Sequence, residues 1–392
     1  MFRYIREWFG GLLSLLLPLV VNKENNLVVL TAFHGYGYRG NTRALYEGLI
    51  LCDQLRAVWL SRDPQIVDLL NRRYGAGKAE RMHSFRGLKL LAASSALLFT
   101  HGTSDFAFLR LPRRSLRIQT YHGLPTKRGE FLRPASQKKP GWVHRFILRY
   151  RFEPISFFLS SSPLVSRLFS QRFGIAIEKF IETGYPAYDE FFKNNSEPLL
   201  PAEVWPSSPE ADGIILYAPT FRRKERTRWF PFDHFDFTAL HSFLEEKKLL
   251  LVLRQHPNDT QDLSRFTSHS PRIVLADQSF VEDVTTLLQI SKGIISDYSS
   301  ITLEGSLKDI PSIYIPYDLI SYERGLILPY SEMTAGPVVT SGTQFLAALR
   351  SITENPEQDS DKRLTLRTLF MKQEQGNSTG NVIRFLKARM LS

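Results

Sequence analysis

The chain has 392 residues, 43% of them apolar and 23% charged, so we expect two folded domains of about 150 to 200 residues each and exclude a disordered chain. Cys52 is the only cysteine, which excludes a disulfide framework and a cysteine-based zinc site and indicates a reducing compartment. The formal net charge is +11, and it is concentrated between Arg110 and Arg151, where twelve Lys or Arg residues stand against the single acid Glu130.

The first predicted element is an N-terminal segment, residues 1–26, in which arginines and aromatic residues precede a mostly apolar run. This run, at 10–21, is shorter than the roughly 20 apolar residues that a membrane-spanning helix needs. No small-residue cleavage pattern precedes the strand predicted from Leu27, so a signal peptide is disfavoured. We predict an amphipathic helix lying in a membrane interface, with a buried core helix as the alternative.

Short apolar runs alternate with helical patterns through the first half of the chain. This alternation is typical of a parallel sheet covered by helices on both faces, and it defines a first domain over residues 27–192. We predict strands at 27–33, 57–60, 97–100, 117–121, 157–160 and 180–183. We predict helices at 42–51, 64–73, 142–151 and 163–172.

The basic segment 110–151 is interleaved with aromatic residues. Cations beside aromatic rings are typical of a surface that meets anionic phosphate next to apolar material. We therefore predict that the protein binds an anionic membrane surface as a peripheral protein on the cytoplasmic face of the cell membrane. A solvated basic loop is the alternative, and nucleic acid is not expected as a partner. The interleaved aromatic residues are Phe131, Trp142, Phe146, Tyr150 and Phe152.

Four prolines without apolar periodicity mark residues 193–212 as a linker. The alternation then resumes in a second domain over 213–375, and a C-terminal helix at 376–392 is expected to pack back on the first domain. We predict strands at 214–218, 249–254, 272–275, 293–296 and 312–315, and helices at 235–247, 281–290, 300–308, 342–353, 360–372 and 379–391. The predicted fold class is α/β, with two doubly wound Rossmann-like domains facing a cleft framed by the carboxyl ends of their strands.

A histidine on a tight turn follows the predicted strand at 117–121. His122 and Gly123 are succeeded by Pro125, and Lys127 and Arg128 place cations beside the imidazole. A histidine held on such a turn can act as a general base near neutral pH, and Gly123 and Lys127 are candidate substrate-binding residues. The alternative is a loop histidine that hydrogen-bonds to the backbone.

Two strand ends of the second domain carry groups that suit a diphosphate. Thr220 and Arg222 follow one strand, and the guanidinium offers a planar fork to phosphate oxygens. Arg254 and His256 end another, where Pro257 fixes the direction of the histidine, and His256 is predicted to donate to a leaving phosphate. Taken singly, either segment is equally well explained as a surface turn.

A serine-rich turn separates the strand at 293–296 from the helix at 300–308. Backbone N–H groups and hydroxyls converge in such turns and favour phosphate oxygens, which makes Ser296, Asp297, Ser299 and Ser300 candidate substrate-binding residues. Glu304, one helical turn later, is predicted to accept hydrogen bonds from a ribose or glycerol hydroxyl. The alternative is a serine-capped helix. The loop at 317–337 is predicted to be a lid or an acceptor-side wall.

In combination these segments resemble the CDP-glycerol glycerophosphotransferases of teichoic acid synthesis. The first motif, His122 to Lys127, stands where the family has His-Gly-Thr-Pro-Leu-Lys, with Leu124 and Thr126 exchanging the usual Thr and Leu. The resemblance covers about residues 30 to 340. The other matching segments are Gly40-Asn41 with Leu45-Tyr46, Thr183-Gly184-Tyr185-Pro186, Tyr217 to Arg222, His256-Pro257, Ser296 to Ser300 and Gly336-Pro337.

The resemblance implies a GT-B fold, with a CDP-activated alcohol such as CDP-glycerol held by the second domain. It implies a polyprenyl-diphosphate-linked saccharide or polymer as the acceptor. It also implies that His122 is the catalytic base. The residues implied to hold the donor phosphates are His256, Thr220, Arg222, Ser299 and Ser300.

The expected reaction is attack of an acceptor hydroxyl on the β-phosphorus with release of CMP, in a site that uses no metal and no other cofactor. Two alternatives stay open. One is a transferase of CMP-activated sugars such as sialic acid or Kdo, in capsule or lipopolysaccharide synthesis. The other is a basic RNA-binding or membrane-binding protein without turnover.

Overall fold

The computed structural model describes residues 2–107, 109–128, 132, 141–142, 154–193, 201–223, 225–256, 258–276 and 284–391, and it describes 2–8 by their helical backbone alone. The chain divides into two compact units. Unit 1 comprises residues 1–123, 130–192 and 373–392, and unit 2 comprises 124–129 and 193–372.

The division differs from the predicted domains at residues 124–129, which belong to unit 2. The reason is backbone pairing. Lys127 forms an isolated antiparallel bridge with Leu326, and the Arg128 N–H donates to the Gly325 carbonyl at 3.1 Å. The chain also returns to unit 1 at Gln373, three residues before the predicted start of the C-terminal helix segment.

Unit 1 is built on seven strands, all paired in parallel. They are β1 (Leu27–Leu30), β2 (Arg56–Ser61), β3 (Ala79–Arg81), β4 (Ala96–Phe99), β5 (Leu116–Gln119), β6 (Phe157–Leu159) and β7 (Phe180–Ile181). Their order in the sheet is β3-β2-β1-β4-β5-β6-β7. The central strands β1 and β4 are buried along their whole length, as apolar runs covered on both faces should be.

Before the linker, the described part of unit 1 contains the helices α1 (Phe2–Val20), α2 (Gly40–Ile50), α3 (Pro64–Tyr74), α4 (Phe85–Ala93) and α5 (Pro163–Phe173). The helices α3 and α5 begin with the same local signal. In each, a capping side chain, Asp63 or Ser162, accepts a backbone N–H, and proline occupies the first helical position.

Unit 2 contains a second parallel sheet, of five strands. They are β8 (Gly213–Tyr217), β9 (Leu249–Leu253), β10 (Ile273–Leu275), β11 (Ser291–Ser296) and β12 (Ser312–Tyr314), in the order β10-β9-β8-β11-β12. Its helices are α6 (Pro201–Val204), α7 (Phe237–Glu246), α8 (Ser264–Thr267), α9 (Val284–Gln289), α10 (Ile301–Gly305), α11 (Gly342–Glu354) and α12 (Ser360–Phe370). Its core packs Leu251 and Ile295 of the sheet against Phe345 of α11.

The C-terminal helix α13 (Ser378–Met390) belongs to unit 1. Its first turn is held by Asp189, whose carboxylate accepts the backbone N–H groups of Ser378 and Thr379, both at 2.8 Å. A carboxylate at this position satisfies orphan donors and complements the helix dipole.

All predicted strands are present, and so are the predicted helices apart from 142–151, which lies outside the described residues except for Trp142. The basic segment lies outside them at residues 129–131, 133–140 and 143–151. The sequence analysis missed the short charged strand β3 and the helices α4, α6 and α8, of which α6 lies in the predicted linker. The predicted helix at 300–308 is α10 followed by one 3₁₀ turn.

The N-terminal helix α1 contacts α4. Leu17 is buried, and Ser14 accepts the Arg110 backbone N–H at 2.8 Å. Another face of α1 exposes large apolar side chains: Phe9, Leu12, Leu15, Leu16, Leu19 and Val20. Over the described part of the chain, every helix is too short or too polar to cross a bilayer.

Candidate active site

In both sheets the strand order reverses at one point, between β1 and β4 in unit 1 and between β8 and β11 in unit 2. Ligands of open α/β sheets bind outside the carboxyl ends of the strands at such a point. The predicted site residues lie beyond these strand ends or those of an adjacent strand, in two separate clusters.

Three histidines form the cluster of unit 1. His34 follows β1, His101 follows β4 and His122 follows β5. The rings of His101 and His122 are stacked with centroids 4.0 Å apart and planes inclined by 9°. The His34 ring lies 4.8 Å from that of His101, and Phe33 contacts both His101 and His122, at 5.0 and 5.9 Å.

Asp105 organises the backbone around these rings. Its fully buried carboxylate accepts the N–H groups of His34, Thr100 and His101 and the Thr100 hydroxyl, at 2.6 to 2.9 Å. Because the Thr100 hydroxyl donates to Asp105, its oxygen is left to accept from His101 Nδ1, 2.7 Å away. His101 is therefore assigned the tautomer with its proton on Nδ1.

Both faces of the His122 ring are covered by other rings. Tyr121 stacks on the ring at 4.3 Å, and it must lie on the face opposite His101 because two rings cannot share one face at this distance. Desolvation lowers the pKa of His122 well below its ordinary value, the nearby His101 lowers it further, and Asp105 opposes them. The residue as a whole remains exposed, and the Thr100 backbone carbonyl accepts a hydrogen bond from the ring, which also opposes the lowering.

Gly123 and Lys127 follow His122. Gly123 has φ 147°, in the region that favours glycine, and it is the last residue of unit 1 before the segment 124–129. Lys127 is half-buried in unit 2, on the strand-like pairing with Leu326.

Arg222 is the centre of a buried ionic network in unit 2. Its Nε donates to Asp318 Oδ2, and Nη2 donates to both Asp318 Oδ1 and Asp297 Oδ2, each at 2.8 Å. Nη1 donates to the Thr220 carbonyl. The guanidinium also lies within 5.2 Å of three tyrosine ring centroids, those of Tyr298, Tyr317 and Tyr322. The fork that was predicted to bind phosphate is thus occupied by two protein carboxylates.

Asp297 and Ser296 are likewise committed to the protein. Asp297 Oδ1 accepts the N–H groups of Thr220 and Tyr298, at 2.8 and 2.5 Å, and the Ser296 hydroxyl donates to the Ala218 carbonyl. These bonds fix the loops after β8 and β11 to each other. The Thr220 hydroxyl, by contrast, is buried and makes no hydrogen bond within the described chain, so it can accept a ligand as partner.

Ser299 and Ser300 are half-buried at the start of α10. Ser300 donates to Glu304 Oε1 at 2.9 Å, and its side chain does not cap the helix. The capping alternative is therefore wrong for Ser300. Glu304 is buried and accepts from a serine of the same turn. Since α10 has only five residues, its dipole contributes little to binding an anion.

His256 and Arg254 follow β9, the neighbour of β8. His256 is exposed and stacked on Phe221, with centroids 5.2 Å apart. Its Nδ1 accepts the Asn258 N–H at 3.2 Å, which assigns the proton of the neutral ring to Nε2. Arg254 is buried and donates to the Ala276 carbonyl at 3.3 Å. Pro257 lies outside the described residues.

Sequence reasoning missed His34, His101, Asp105 and Asp318. A signal for two of them was available, because His34-Gly35 and His101-Gly102 repeat, after β1 and β4, the His122-Gly123 pair that follows β5. Asp105 and Asp318 act through partners distant in sequence and leave no comparable local pattern.

Within the described ranges, no three His, Cys, Asp or Glu side chains are grouped so as to hold a metal ion. An Asp-x-Asp sequence occurs at 359–361, where Asp359 pairs with Lys362 at 2.6 Å and Ser360 donates to Asp309 at 2.8 Å.

The chain is similar in sequence to a known family of transferases. The family model of CDP-Glycerol:Poly(glycerophosphate) glycerophosphotransferase matches residues 14–388. The teichoic acid glycerol-phosphate transferase of Staphylococcus aureus is 25% identical over 382 residues, which cover 94% of both chains. The teichoic acid ribitol-phosphate primase of Bacillus spizizenii is 25% identical, over 100% of this chain and 98% of its own. The teichoic acid poly(glycerol phosphate) polymerase of Staphylococcus epidermidis is 24% identical over 88% of this chain, which covers 48% of the polymerase.

Among solved structures, the wall teichoic acid polymerase TagF superposes with a TM-score of 0.78 at 20% identity, over 97% of this chain and 94% of that one. A UDP complex of Staphylococcus aureus MnaA gives a TM-score of 0.55 at 14% identity, over 93% and 96% of the two chains. At these identities the likeness shows a shared fold, the GT-B-like α/β architecture that the sequence predicted.

Proposed function

The chain belongs to the CDP-glycerol:poly(glycerophosphate) glycerophosphotransferase family, and from that premise we propose that it transfers glycerol phosphate, or a related polyol phosphate, from CDP-glycerol to a hydroxyl of a teichoic acid acceptor. The acceptor oxygen forms a bond to the β-phosphorus of the donor, the bond between that phosphorus and the bridging oxygen breaks, and CMP leaves. The observation that carries this proposal is the exposed His122 imidazole, stacked between His101 and Tyr121 with its pKa lowered.

His122 is the proposed general base. A base that removes the hydroxyl proton must be unprotonated at working pH, and the lowered pKa of His122 meets this requirement. The proton of the acceptor hydroxyl passes to the unprotonated ring nitrogen of His122. A positioned base of this kind contributes about 10²- to 10⁴-fold to the rate.

The proposed donor ligands lie in unit 2. His256, with the proton of its neutral ring on Nε2, is the proposed donor to a phosphate oxygen, and such donation stabilises the charge that develops on departing CMP. The buried Thr220 hydroxyl is a second ligand, because nothing in the described structure satisfies it. Ser299, Ser300 and Lys127 complete the set of proposed contacts, and no metal ion or cofactor is invoked.

The structure supports a different role for Arg222 from the one the resemblance implied. With its donors engaged by Asp297, Asp318 and the Thr220 carbonyl, Arg222 positions the loops that carry Thr220 and the serine turn. Asp297 and Ser296 share this positioning role. Gly123, Arg254 and Glu304 stay proposals as substrate-binding residues.

A membrane-bound acceptor, linked to polyprenyl diphosphate, fits the exposed apolar face of α1. We assign the protein to the cytoplasmic face of the cell membrane, held peripherally by α1 and by the basic segment 110–151. Sedimentation with vesicles containing anionic lipid tests this. Replacing Leu15, Leu16 and Leu19 by Gln should release the protein, whereas retention of that variant on the vesicles would refute the role of α1.

The activity is tested by incubating the protein and an acceptor with CDP-glycerol, CDP-ribitol or a CMP-sugar and measuring free CMP. CDP-glycerol should yield CMP. Faster release from CDP-ribitol would assign the donor instead to the ribitol series, to which one full-length relative belongs by name. Release from CMP-sugars alone would overturn the proposal. His122→Ala should abolish turnover and leave CDP-glycerol binding nearly intact, and a collapse of donor binding would refute its role as base.

A further inference from the structure

An arginine beside the histidine cluster of unit 1 has a buried donor without a partner. Arg39 Nε is buried, and within the described chain it makes no hydrogen bond. The guanidinium also forms no ion pair with any described residue. The group lies instead over the Phe33 ring, with Cζ 4.0 Å from the ring centroid. Leaving a buried cationic donor unsatisfied is costly, which indicates that a ligand completes the site.

The same phenyl ring connects this arginine to the proposed base. Phe33 contacts the His122 ring at 5.9 Å and carries the Arg39 guanidinium at 4.0 Å. Asn41 adds a second connection, because its Nδ2 donates to the carbonyls of Thr120 and Tyr121, at 2.9 and 3.3 Å, immediately before His122. The position of Arg39 relative to the imidazole is therefore fixed by packing and by hydrogen bonds.

The start of α2 adds positive potential at the same place. Arg39 is the residue before the eleven-residue helix, and no side chain caps the helix there within the described structure. The chain enters the helix through Gly40 at φ 65°, a conformation that favours glycine. An uncapped helix N-terminus and a guanidinium with free donors together form a binding site for an anion with several oxygens.

We propose that Arg39 and the N-terminal end of α2 bind a phosphate group of the acceptor and thereby place its attacking hydroxyl beside His122. This inference rests on the proposed function of the same site. The acceptor in the family's name is a poly(glycerophosphate), and the proposal assigns recognition of its phosphate to Arg39.

Two matched acceptors test the proposal. Both end in the same glycerol unit on a disaccharide, but one carries the anionic phosphodiester and the other its neutral methyl phosphotriester. The wild-type protein should have the lower KM for the anionic acceptor. Arg39→Gln should raise that KM about 10- to 100-fold, the range expected for a lost charge-assisted hydrogen bond. It should leave the KM for the neutral acceptor and for CDP-glycerol unchanged. Arg39→Lys should recover part of the loss.

Arg43 provides the matched control. It lies one turn further along α2, and its Nε is already paired with Glu47 Oε1 at 3.1 Å. Arg43→Gln should leave the KM for the anionic acceptor unchanged. Thermal melting should show that Arg39→Gln folds as the wild type does, since Arg39 makes no polar bond whose loss would matter.

Two kinetic results would overturn the proposal. In one, Arg39→Gln leaves the KM for the anionic acceptor at the wild-type value. In the other, the KM for CDP-glycerol rises in its place, which would assign the arginine to the donor diphosphate. Calorimetric titration of both acceptors without donor separates this inference from the proposed function. If the wild-type protein releases no CMP, a selective loss of anionic-acceptor binding in Arg39→Gln still supports the site, and equal binding by the two proteins refutes it.

Discussion

His101 lies flat on His122, with the two ring centroids 4.0 Å apart, and Thr100 and Asp105 hold it there. Two imidazoles at this distance cannot both be protonated without strong repulsion. Proximity of His101 is thus one of the causes that lower the pKa of His122, after desolvation; Arg172 acts in the same direction, whereas Asp105 and the Thr100 backbone oppose it.

Replacing His101 by Phe keeps an aromatic ring against His122 and removes the second imidazole. We expect the pKa of His122 to rise toward its ordinary value, so that the acidic limb of the kcat/KM profile against pH moves to higher pH. The sign follows from the role of a base, which is inactive when protonated. His34→Phe is the control. The His34 ring contacts that of His101 and, among the described residues, makes no ring contact with His122. An unmoved acidic limb in His101→Phe would contradict the proposed effect.

The buried position of Arg222 predicts a loss of stability when it is replaced. Arg222→Leu leaves the buried Asp297 and the half-buried Asp318 without their counterion, and breaking a buried pair costs about 3 to 5 kcal/mol. Chemical denaturation should show this as a lower midpoint with an unchanged slope. The neighbouring Arg223 is exposed, and Arg223→Leu should change the free energy of unfolding little. A wild-type midpoint in Arg222→Leu, together with weakened CDP-glycerol binding, would return Arg222 to the role of phosphate ligand.

The unpaired hydroxyl of Thr220 predicts that its removal weakens donor binding without lowering stability. Thr220→Val keeps the shape of the side chain and removes a buried group that lacks a partner, so the protein should be as stable as the wild type or slightly more stable. If the hydroxyl binds a donor phosphate, the KM for CDP-glycerol should rise about 10-fold. Thr353 serves as the control, since its hydroxyl is already bonded to the Leu349 carbonyl at 2.8 Å. An unchanged KM in Thr220→Val would exclude that contact.

The positions of most strands and helices could be predicted because they depend on local patterns, whereas the order of the strands in each sheet could not, because it depends on pairing. The runs that became β1 and β8 are apolar and bounded by turn residues, and parallel pairing with a helix between strands follows from that alternation. The short strand β3 was not predicted because Ala-Glu-Arg has no apolar periodicity. Its position depends on pairing with β2.

The site was predicted in part for a related reason. His122, His256 and Thr220 are recognisable from residue type at a strand end. The commitment of Arg222 to Asp318 is not, since the two residues are 96 positions apart and only the folded chain brings them within 2.8 Å. The unpaired state of Arg39 is equally invisible in sequence, because it is defined by what surrounds the guanidinium.

The buried carboxyl of Glu374 predicts how stability changes with pH. Burial, with a contribution from Asp189, raises the pKa of Glu374 to about 8, although the Tyr185 N–H and the Ser378 hydroxyl bond to it and oppose the shift. The ordinary pKa of a glutamate is 4.5, so between the two values the folded chain holds a proton that the unfolded chain has released. The contribution of Glu374 to the free energy of unfolding is therefore fully present below about pH 4.5 and is lost as the pH rises through about 8. Between these values it falls by about 1.4 kcal/mol per pH unit.

Glu374→Gln should remove this dependence. The amide oxygen can accept the Tyr185 N–H and the amide nitrogen can donate to the Ser378 hydroxyl, so both contacts survive without a titrating group. Melting temperatures measured from pH 5 to 9 should fall less steeply in Glu374→Gln than in the wild type, with the variant the more stable at pH 8. Glu178 is exposed, and Glu178→Gln should follow the wild-type curve. Parallel curves for Glu374→Gln and the wild type would show that this carboxyl is ionised in the folded protein, which would require water or a cation to reach it where the C-terminal segment joins unit 1.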